Sequence, residues 1–321
     1  MQTLKTPRFI QSWFDDADAA RTATRAALAA RHANVAPKFF YDKLGSHLFE
    51  AITELPEYYP TRTEAAIFAA HGAEMAAAVG SGMALVDLGA GNCAKAATLF
   101  PLLEPARYIA VDISVEFLRD ALRRLQREHP QIAMAGLGQD FASTLEIPPD
   151  LLDGMRPVFF YPGSSIGNFT RPEALAFLAR LRERADSGGL LIGVDLVKPR
   201  ETLEAAYDDA LGVTAAFNRN VLQHLNRLID SDFDPRQWRH VAFFDEAESR
   251  IEMHLEARES LAVAWPGGGR RFGAGERIHT ENSCKYTVAG FAALLGEAGF
   301  ASTRHWTDER GWFAVFWASP R

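Results

Sequence analysis

Cysteine is scarce in this chain of 321 residues: there are two, Cys93 and Cys284, far apart and in no C-x-x-C pair. That argues against a disulfide framework and against a thiolate-bound zinc, and it suits a reducing cytoplasm, the expected location. The nine histidines form no H-x-x-x-H pair, so no metal is expected. Positive charge is short as well. With 34 Lys and Arg against 41 Asp and Glu, the formal net charge is −7, which provides no basic field for nucleic acid or anionic lipid. Long apolar runs are missing. The opening MQTLKTPRFIQSWFDDADAA turns acidic by Asp15 and has no signal-peptide core, and no later run approaches a membrane span. What is present, 48% hydrophobic and 23% charged residues, is the balance of a soluble globular protein. A small polar molecule is the expected partner and a monomer the expected state.

The order of elements indicates the fold class. Thr63 is placed to cap a helix over 63–80, which leads into MALVDLGAGN, a short apolar run ending in glycines. A helix at 93–104 then precedes RYIAVDIS, and one at 115–128 precedes IAMAGLGQDF. RPVFFYPGSSIGNF, a helix at 171–186 and GGLLIGVDLV follow. Strands alternating with helices of this length predict an α/β fold with a doubly wound, mostly parallel sheet. After Lys198 the rhythm changes to helix and then to antiparallel strands with Gly-rich turns. From Thr287 a helix and a terminal strand, GWFAVFWAS, return to the first sheet. Two domains are therefore expected, 62–197 with 286–321 and a mixed α+β one from 1–61 with 198–285. DSDFD (230–234) reads as a capped turn, having Pro235 where a calcium loop needs glycine, and WPGGGRR reads as a hairpin turn.

Gly89-Ala90-Gly91 follows a strand and opens a helix, so backbone N–H groups and the helix N-terminus can approach a ligand closely. Asp112 ends the next strand about twenty residues on, where a carboxylate can accept ribose hydroxyls. These features suit a nicotinamide cofactor or an S-adenosyl group equally. Two others favour S-adenosylmethionine. Ala94 stands in the slot of the third fingerprint glycine. Asp140-Phe141 closes the third strand, where a carboxylate can accept from an adenine amino group and a phenyl ring can cover the purine.

FYDKLGSHLFEAITELPEYYPTRTEA, GSSIGN, AYDDALGVTAAFNRNVL, RIEMHLEA and TENSCKY together resemble the histidine-specific methyltransferases, from about residue 37 to the C-terminus. That family makes Nα,Nα,Nα-trimethylhistidine (hercynine) for ergothioneine biosynthesis. The resemblance implies a Rossmann-like methyltransferase domain and a separate substrate-binding domain. It assigns Tyr41, Gly89, Gly91, Lys95, Asp112, Asp140 and Phe141 to the cofactor. To the substrate it assigns Tyr58, Gly163, Asn168, Tyr207, Met253, Glu281 and Ser283, with Asn282 counted among them. Asn168, Tyr58 and Tyr207 are the expected catalytic residues.

The chemistry is the attack of a neutral amine on a sulfonium methyl, which requires alignment more than a strong base. A neutral amide such as Asn168 can orient the amine without holding its proton, as a carboxylate would. Tyr207 can donate to the substrate carboxylate. Glu281 is an acceptor for an imidazole N–H, and on an extended segment Glu281 and Ser283 point the same way. Other readings are the same reaction on an amino acid such as tryptophan, a nicotinamide oxidoreductase, and a silent cofactor binder. The second lacks a hydride-transfer acid/base pair, and the third lacks any obvious site deletion.

Overall fold

A computed structural model describes residues 5–11 and 17–320; the remainder of the N-terminal stretch, 1–4 and 12–16, lies outside it. In chain order the elements begin β1 (Arg8–Gln11), α1 (Ala17–Ala29), α2 (Lys43–Thr53), α3 (Tyr59–Val79), β2 (Ala84–Leu88), α4 (Ala94–Leu103) and β3 (Arg107–Asp112). Then come α5 (Val115–Glu128), β4 (Ala133–Gly138), α6 (Pro149–Leu152), β5 (Pro157–Tyr161), α7 (Arg171–Ala185), β6 (Gly189–Asp195) and α8 (Arg200–Ala205). The chain continues through α9 (Val213–Ile229), β7 (Trp238–Asp245), β8 (Arg250–Ala257), β9 (Leu261–Trp265) and β10 (Gly268–Phe272). It closes with β11 (Arg277–Cys284), α10 (Val288–Glu297), β12 (Ser302–Thr307) and β13 (Phe313–Ser319). No helix among the described residues is long and apolar enough to cross a membrane.

The chain divides into two compact units: one holds β1, Pro60–Val197 and the chain from Tyr286 onward, the other Lys198–Lys285 and the rest of the N-terminal region. The first unit is built on an eight-stranded sheet of order β1-β4-β3-β2-β5-β6-β13-β12. The strands from β1 to β6 run parallel and the last two antiparallel. Every residue of β2, β5 and β6 is buried, because helices cover both faces. Alternation still sorts them. Val86 and Leu88 pack with Phe177 and Leu294 on one face, and Leu85 packs with Ile67, Met75 and Leu99 on the other.

Two expectations are corrected here. The first 61 residues do not all belong to the second unit, since β1 pairs with the outer edge of β4. Gly136 of β4 leaves the space that the Phe9 ring fills. A four-residue strand has too little pattern to be read from sequence. The helix expected from Thr63 starts at Tyr59, with Pro60 in its first turn, where a missing N–H costs nothing.

In the second unit, Asp42 caps α2 by accepting from the Gly45 N–H at 2.7 Å, and it also accepts from Asn220 of α9 at 2.8 Å. A Cβ on Gly45 would collide with the Phe40 carbonyl, so the FYDKLGS stretch admits only glycine there. Asp209 caps α9 through the N–H groups of Val213 and Thr214. β11, β8 and β7 form an antiparallel sheet in that order. β9 and β10 form the expected hairpin, turning at Pro266 and Gly267 (φ +82°). Asp234 caps a 3₁₀ turn over Pro235–Gln237, as a capped DSDFD turn requires.

One buried acid in the first unit generates a prediction. Asp87 of β2 is 2% exposed and accepts from the Tyr108 hydroxyl at 2.7 Å. Burial raises its pKa from 3.8 to about 7, against the opposing Tyr108 hydrogen bond. An acid whose folded pKa is raised stabilises the fold below its unfolded pKa, and that contribution is lost as pH rises to the folded value. Asp87→Asn should therefore gain thermal stability relative to wild type between pH 4 and pH 7 and hold the gain above it. Melting curves across that range, showing parallel wild-type and variant profiles, would count against an uncharged Asp87 in the fold.

Candidate functional site

In the first unit the expected cofactor residues come from the carboxyl ends of neighbouring parallel strands. Strand order reverses between β3 and β5 around β2, the switch point at which doubly wound sheets bind ligands. Gly89 and Gly91 turn directly after β2 with φ of +71° and +52°, left-handed values that favour glycine. The Gly89 N–H bonds the Val111 carbonyl at 2.9 Å, fastening the turn to β3. Asp112, ending β3, accepts from the Gly91 N–H at 2.9 Å and the Ser114 N–H at 2.8 Å, one on each carboxylate oxygen. Burial raises its pKa, and those N–H groups oppose the rise. Asp112 thus shapes the glycine turn, and each oxygen retains a lone pair.

Phe141 lies next to this turn: a Cβ at Gly89 would stand 3.6 Å from its ring. Its ring also packs against Tyr161 and Phe177. Asp140, beside it, accepts the Ser143 and Thr144 N–H groups on its carbonyl. Lys95, in the first turn of α4, donates to Glu64 at 2.6 Å. The other Glu64 oxygen accepts from the Gly163 N–H at 2.9 Å, and a Cβ at Gly163 would lie 3.2 Å from the lysine Nζ. Gly163 (φ +75°) and Ser164 (φ +60°) form a second left-handed turn after β5. The Ser164 hydroxyl accepts from the Asp195 N–H at 2.8 Å. Asn168 closes the 3₁₀ turn that follows, half-buried. Gly89, Gly91, Lys95, Asp112, Phe141, Gly163 and Asn168 are all on this unit. Glycine cradle, carboxylate, aromatic ring and flexible cation fit a nucleoside cofactor that carries its own carboxylate.

In the second unit Tyr207 and Ser283 meet with their hydroxyl oxygens 2.6 Å apart. Lys285 donates to Ser283 at 2.8 Å and to Tyr207 at 3.2 Å, and its Nζ stands 4.8 Å over the Tyr207 ring. Tyr58 packs edge-on to Tyr207 at 6.5 Å. Tyr41 lies in this unit, in an aromatic cluster with Phe49 and Phe217. Tyr59 is a packing residue, taking a hydrogen bond from Lys198 at 2.8 Å and its charge over the ring at 4.3 Å. Met253 stands opposite Glu281 across the β8–β11 pair. Burial raises the Glu281 pKa to about 7, and the Lys285 charge opposes that.

The ladder shifts register between His279 and Glu281, which makes Thr280 a bulge residue. Glu281 and Ser283 share one face with Met253. Asn282 does not join them: it faces Glu252 across the ladder and bonds His279 at 2.9 Å, on the opposite face.

Glu64, Lys285 and His240 are neighbours of these groups that the sequence did not single out. Lys285 follows Glu281 and Ser283 at the same two-residue spacing, a signal that could have found it. Glu64 sits in an Ala-rich helix and looks like helix punctuation. His240 accepts from Asn218 on Nδ1 and donates from Nε2 to the Tyr207 carbonyl, both at 2.8 Å. Burial lowers its pKa, so the ring holding the Tyr207 backbone is neutral.

A doubly wound sheet with a glycine turn at its switch point, an acid at the next strand end and a ring against the turn defines an α/β enzyme that uses a nucleoside cofactor. Residues 20–320 match the family described as histidine-specific methyltransferase, SAM-dependent, and the chain belongs to that family. It is 43% identical over 306 residues to the histidine N-alpha-methyltransferase of Mycolicibacterium smegmatis, covering 93% of this chain and 94% of that protein. It is 42% identical over 289 residues to the Mycobacterium tuberculosis protein of the same name, covering 87% and 88%. A 4-dimethylallyltryptophan N-methyltransferase of Arthroderma benhamiae is 27% identical over 289 residues, 84% of each chain. The protein is an S-adenosylmethionine-dependent N-methyltransferase, as the motifs led us to expect.

The Glu64 cluster carries a prediction. A Cβ on Gly193 of β6 would overlap the Glu64 carboxylate and come 2.9 Å from the Phe313 ring. Gly193→Ala should cost about 1–3 kcal/mol through overpacking and displace Glu64 from Lys95 and Gly163. We expect a lower melting temperature together with weaker S-adenosylhomocysteine binding in calorimetric titration. Unchanged values for both would show that the carboxylate has room to spare.

Proposed function

We propose that the protein transfers three methyl groups in succession to the α-amine of L-histidine, giving Nα,Nα,Nα-trimethylhistidine for ergothioneine biosynthesis. The observation that carries this reading is the half-buried Glu281 carboxylate beside Ser283 on one sheet face, with Lys285 close by. An imidazole presents one N–H and one bare nitrogen. A carboxylate and a hydroxyl two residues apart offer the matching acceptor and donor. An indole has only the N–H and a phenyl ring has neither, so tryptophan and phenylalanine match this face less well. Burial lifts the Glu281 pKa to about 7 while the Lys285 cation opposes the rise, so the charged form, the better acceptor, gains as pH rises past that value.

When bound, S-adenosylmethionine supplies an activated methyl on a sulfonium. Gly89, Gly91, Asp112, Asp140 and Phe141 are the residues we assign to its adenosine, and Lys95 to its carboxylate. Tyr41 is assigned to the cofactor by its motif. Asn168 orients the amine through a neutral amide, which leaves the amine able to shed its proton. Tyr207 and Tyr58 hold the amino-acid backbone, and Met253 packs the ring. Alignment of amine and methyl then provides much of the rate, about 7–11 kcal/mol for a well-oriented pair. We place the reaction in the cytoplasm, where the free thiols Cys93 and Cys284 would stay reduced.

Incubation with S-adenosylmethionine and each amino acid should give products heavier by one, two and three methyl groups from histidine alone. Equal or greater turnover of tryptophan would transfer the assignment to that substrate. Glu281→Ala should raise the KM for histidine with little change in cofactor affinity. Loss of a hydrogen bond to a charged group, about 1.5–3 kcal/mol, corresponds to about 10- to 150-fold. Asp112→Ala should instead weaken S-adenosylhomocysteine binding. If the two variants showed the same kinetic defect, the division of roles between the units would fail.

A further inference from the structure

Lys285 follows the last residue of β11 and is 4% exposed. Its backbone is clamped to the turn between β7 and β8. The Lys285 N–H donates to the Ser249 carbonyl at 2.7 Å, and the Ser249 hydroxyl donates to the Lys285 carbonyl at 3.0 Å. Its Nζ reaches Ser283 at 2.8 Å and Tyr207 at 3.2 Å, with the Tyr207 ring 4.8 Å away. His240 fixes Tyr207 from the backbone side, through its carbonyl. Ammonium and phenol are therefore in place before any ligand arrives, which lowers the ordering cost of binding.

Hydrogen-bond polarity indicates what this pair accepts. An ammonium has donors only, so both hydroxyl oxygens accept from Lys285 and each hydroxyl keeps its own O–H to give. In the 2.6 Å contact between Tyr207 and Ser283 one of those protons rests on a neutral oxygen. A carboxylate is the stronger acceptor and would draw the phenol proton outward. Bonds to neutral hydroxyls do not cancel the lysine charge, and its field reaches Glu281, where it opposes the pKa rise that burial imposes.

Charge balance points the same way. At the moment of transfer the amino acid has a neutral amine and a carboxylate, so it carries one negative charge. Of the residues assigned to it, Glu281 is acidic and none is basic. Two like charges in one site are costly without an opposite one, and Lys285 brings that opposite charge to Tyr207 and Ser283.

We propose that Lys285 is a positioning residue for substrate choice: through the Tyr207 hydroxyl it makes a free carboxylate a requirement. The inference rests on the reading above in assigning Tyr207 to the amino-acid backbone. It adds the substrate class, free α-amino acids as against amides, esters or the N-terminal residue of a peptide.

The test is calorimetric titration of histidine and of histidinamide into the full chain saturated with S-adenosylhomocysteine. Wild type should bind histidine about 10-fold or more tightly than the amide, as a hydrogen bond to a charged group warrants. Lys285→Met, similar in length but without charge or donors, should lose most of that preference by weakening histidine while histidinamide changes little. Lys285→Arg should keep it. Circular dichroism and S-adenosylhomocysteine affinity report that the variants fold. A wild-type protein indifferent to the amide would overturn the proposal with no variant needed. So would Lys285→Met with the full preference, or with both ligands weakened equally, which is the outcome for a purely structural lysine. Glu281→Ala separates this inference from the ring assignment, since it should weaken histidine and histidinamide alike. If it weakened neither while the carboxylate preference stood, the ring assignment would fail and the role of Lys285 would stand.

Discussion

A carboxylate cut off from water organises the first unit. Glu64 is fully buried, and neither of its oxygens is idle: one takes the Lys95 ammonium and the other the Gly163 N–H. These partners come from α4, which follows the glycine turn, and from the turn after β5. The long helix α3 thereby fixes both loops that flank the switch point. A buried charge is tolerated only where its partners are complete, and here a glycine on β6 leaves the space for it. One side chain thus ties the helix after the glycine turn to the Gly163 turn.

Asp112 acts in a similar way one strand over. Its two oxygens hold the N–H groups of Gly91 and Ser114, so the acid expected to read a ribose also builds the turn that approaches it. Both carboxylates are shape-forming groups. In the second unit the equivalent role belongs to neutral and cationic side chains. His240 pins the Tyr207 backbone, and Lys285 binds the Tyr207 and Ser283 hydroxyls together. A buried ammonium with two hydroxyl acceptors and an aromatic face beneath it recovers part of its lost hydration.

Much of the first unit was legible because its signals are strong: buried parallel strands read as apolar runs, and the glycine turn and Asp112 occur at a known spacing. The alternation Glu281–Ser283 also predicted a shared face correctly. What escaped the sequence depends on long-range contact. β1 exists because Gly136 leaves room for Phe9. Glu64 resembles any helix glutamate until β6 closes over it. The stretch RHWTDERGW, which reads as a loop, supplies most of β12, whose alternation is hidden by charged and polar residues on an edge strand. Asn282 was placed with its neighbours although strand geometry sets it apart from them.

The bulge at Thr280 has one more effect. Uninterrupted alternation along β11 would set His279 on the same face as Glu281, two positions away. The chain's own imidazole would then stand beside the carboxylate assigned to a substrate imidazole, able to donate the same N–H. One extra residue turns that ring to the back of the sheet. The strand thus carries an imidazole of its own while keeping it off the Glu281 face.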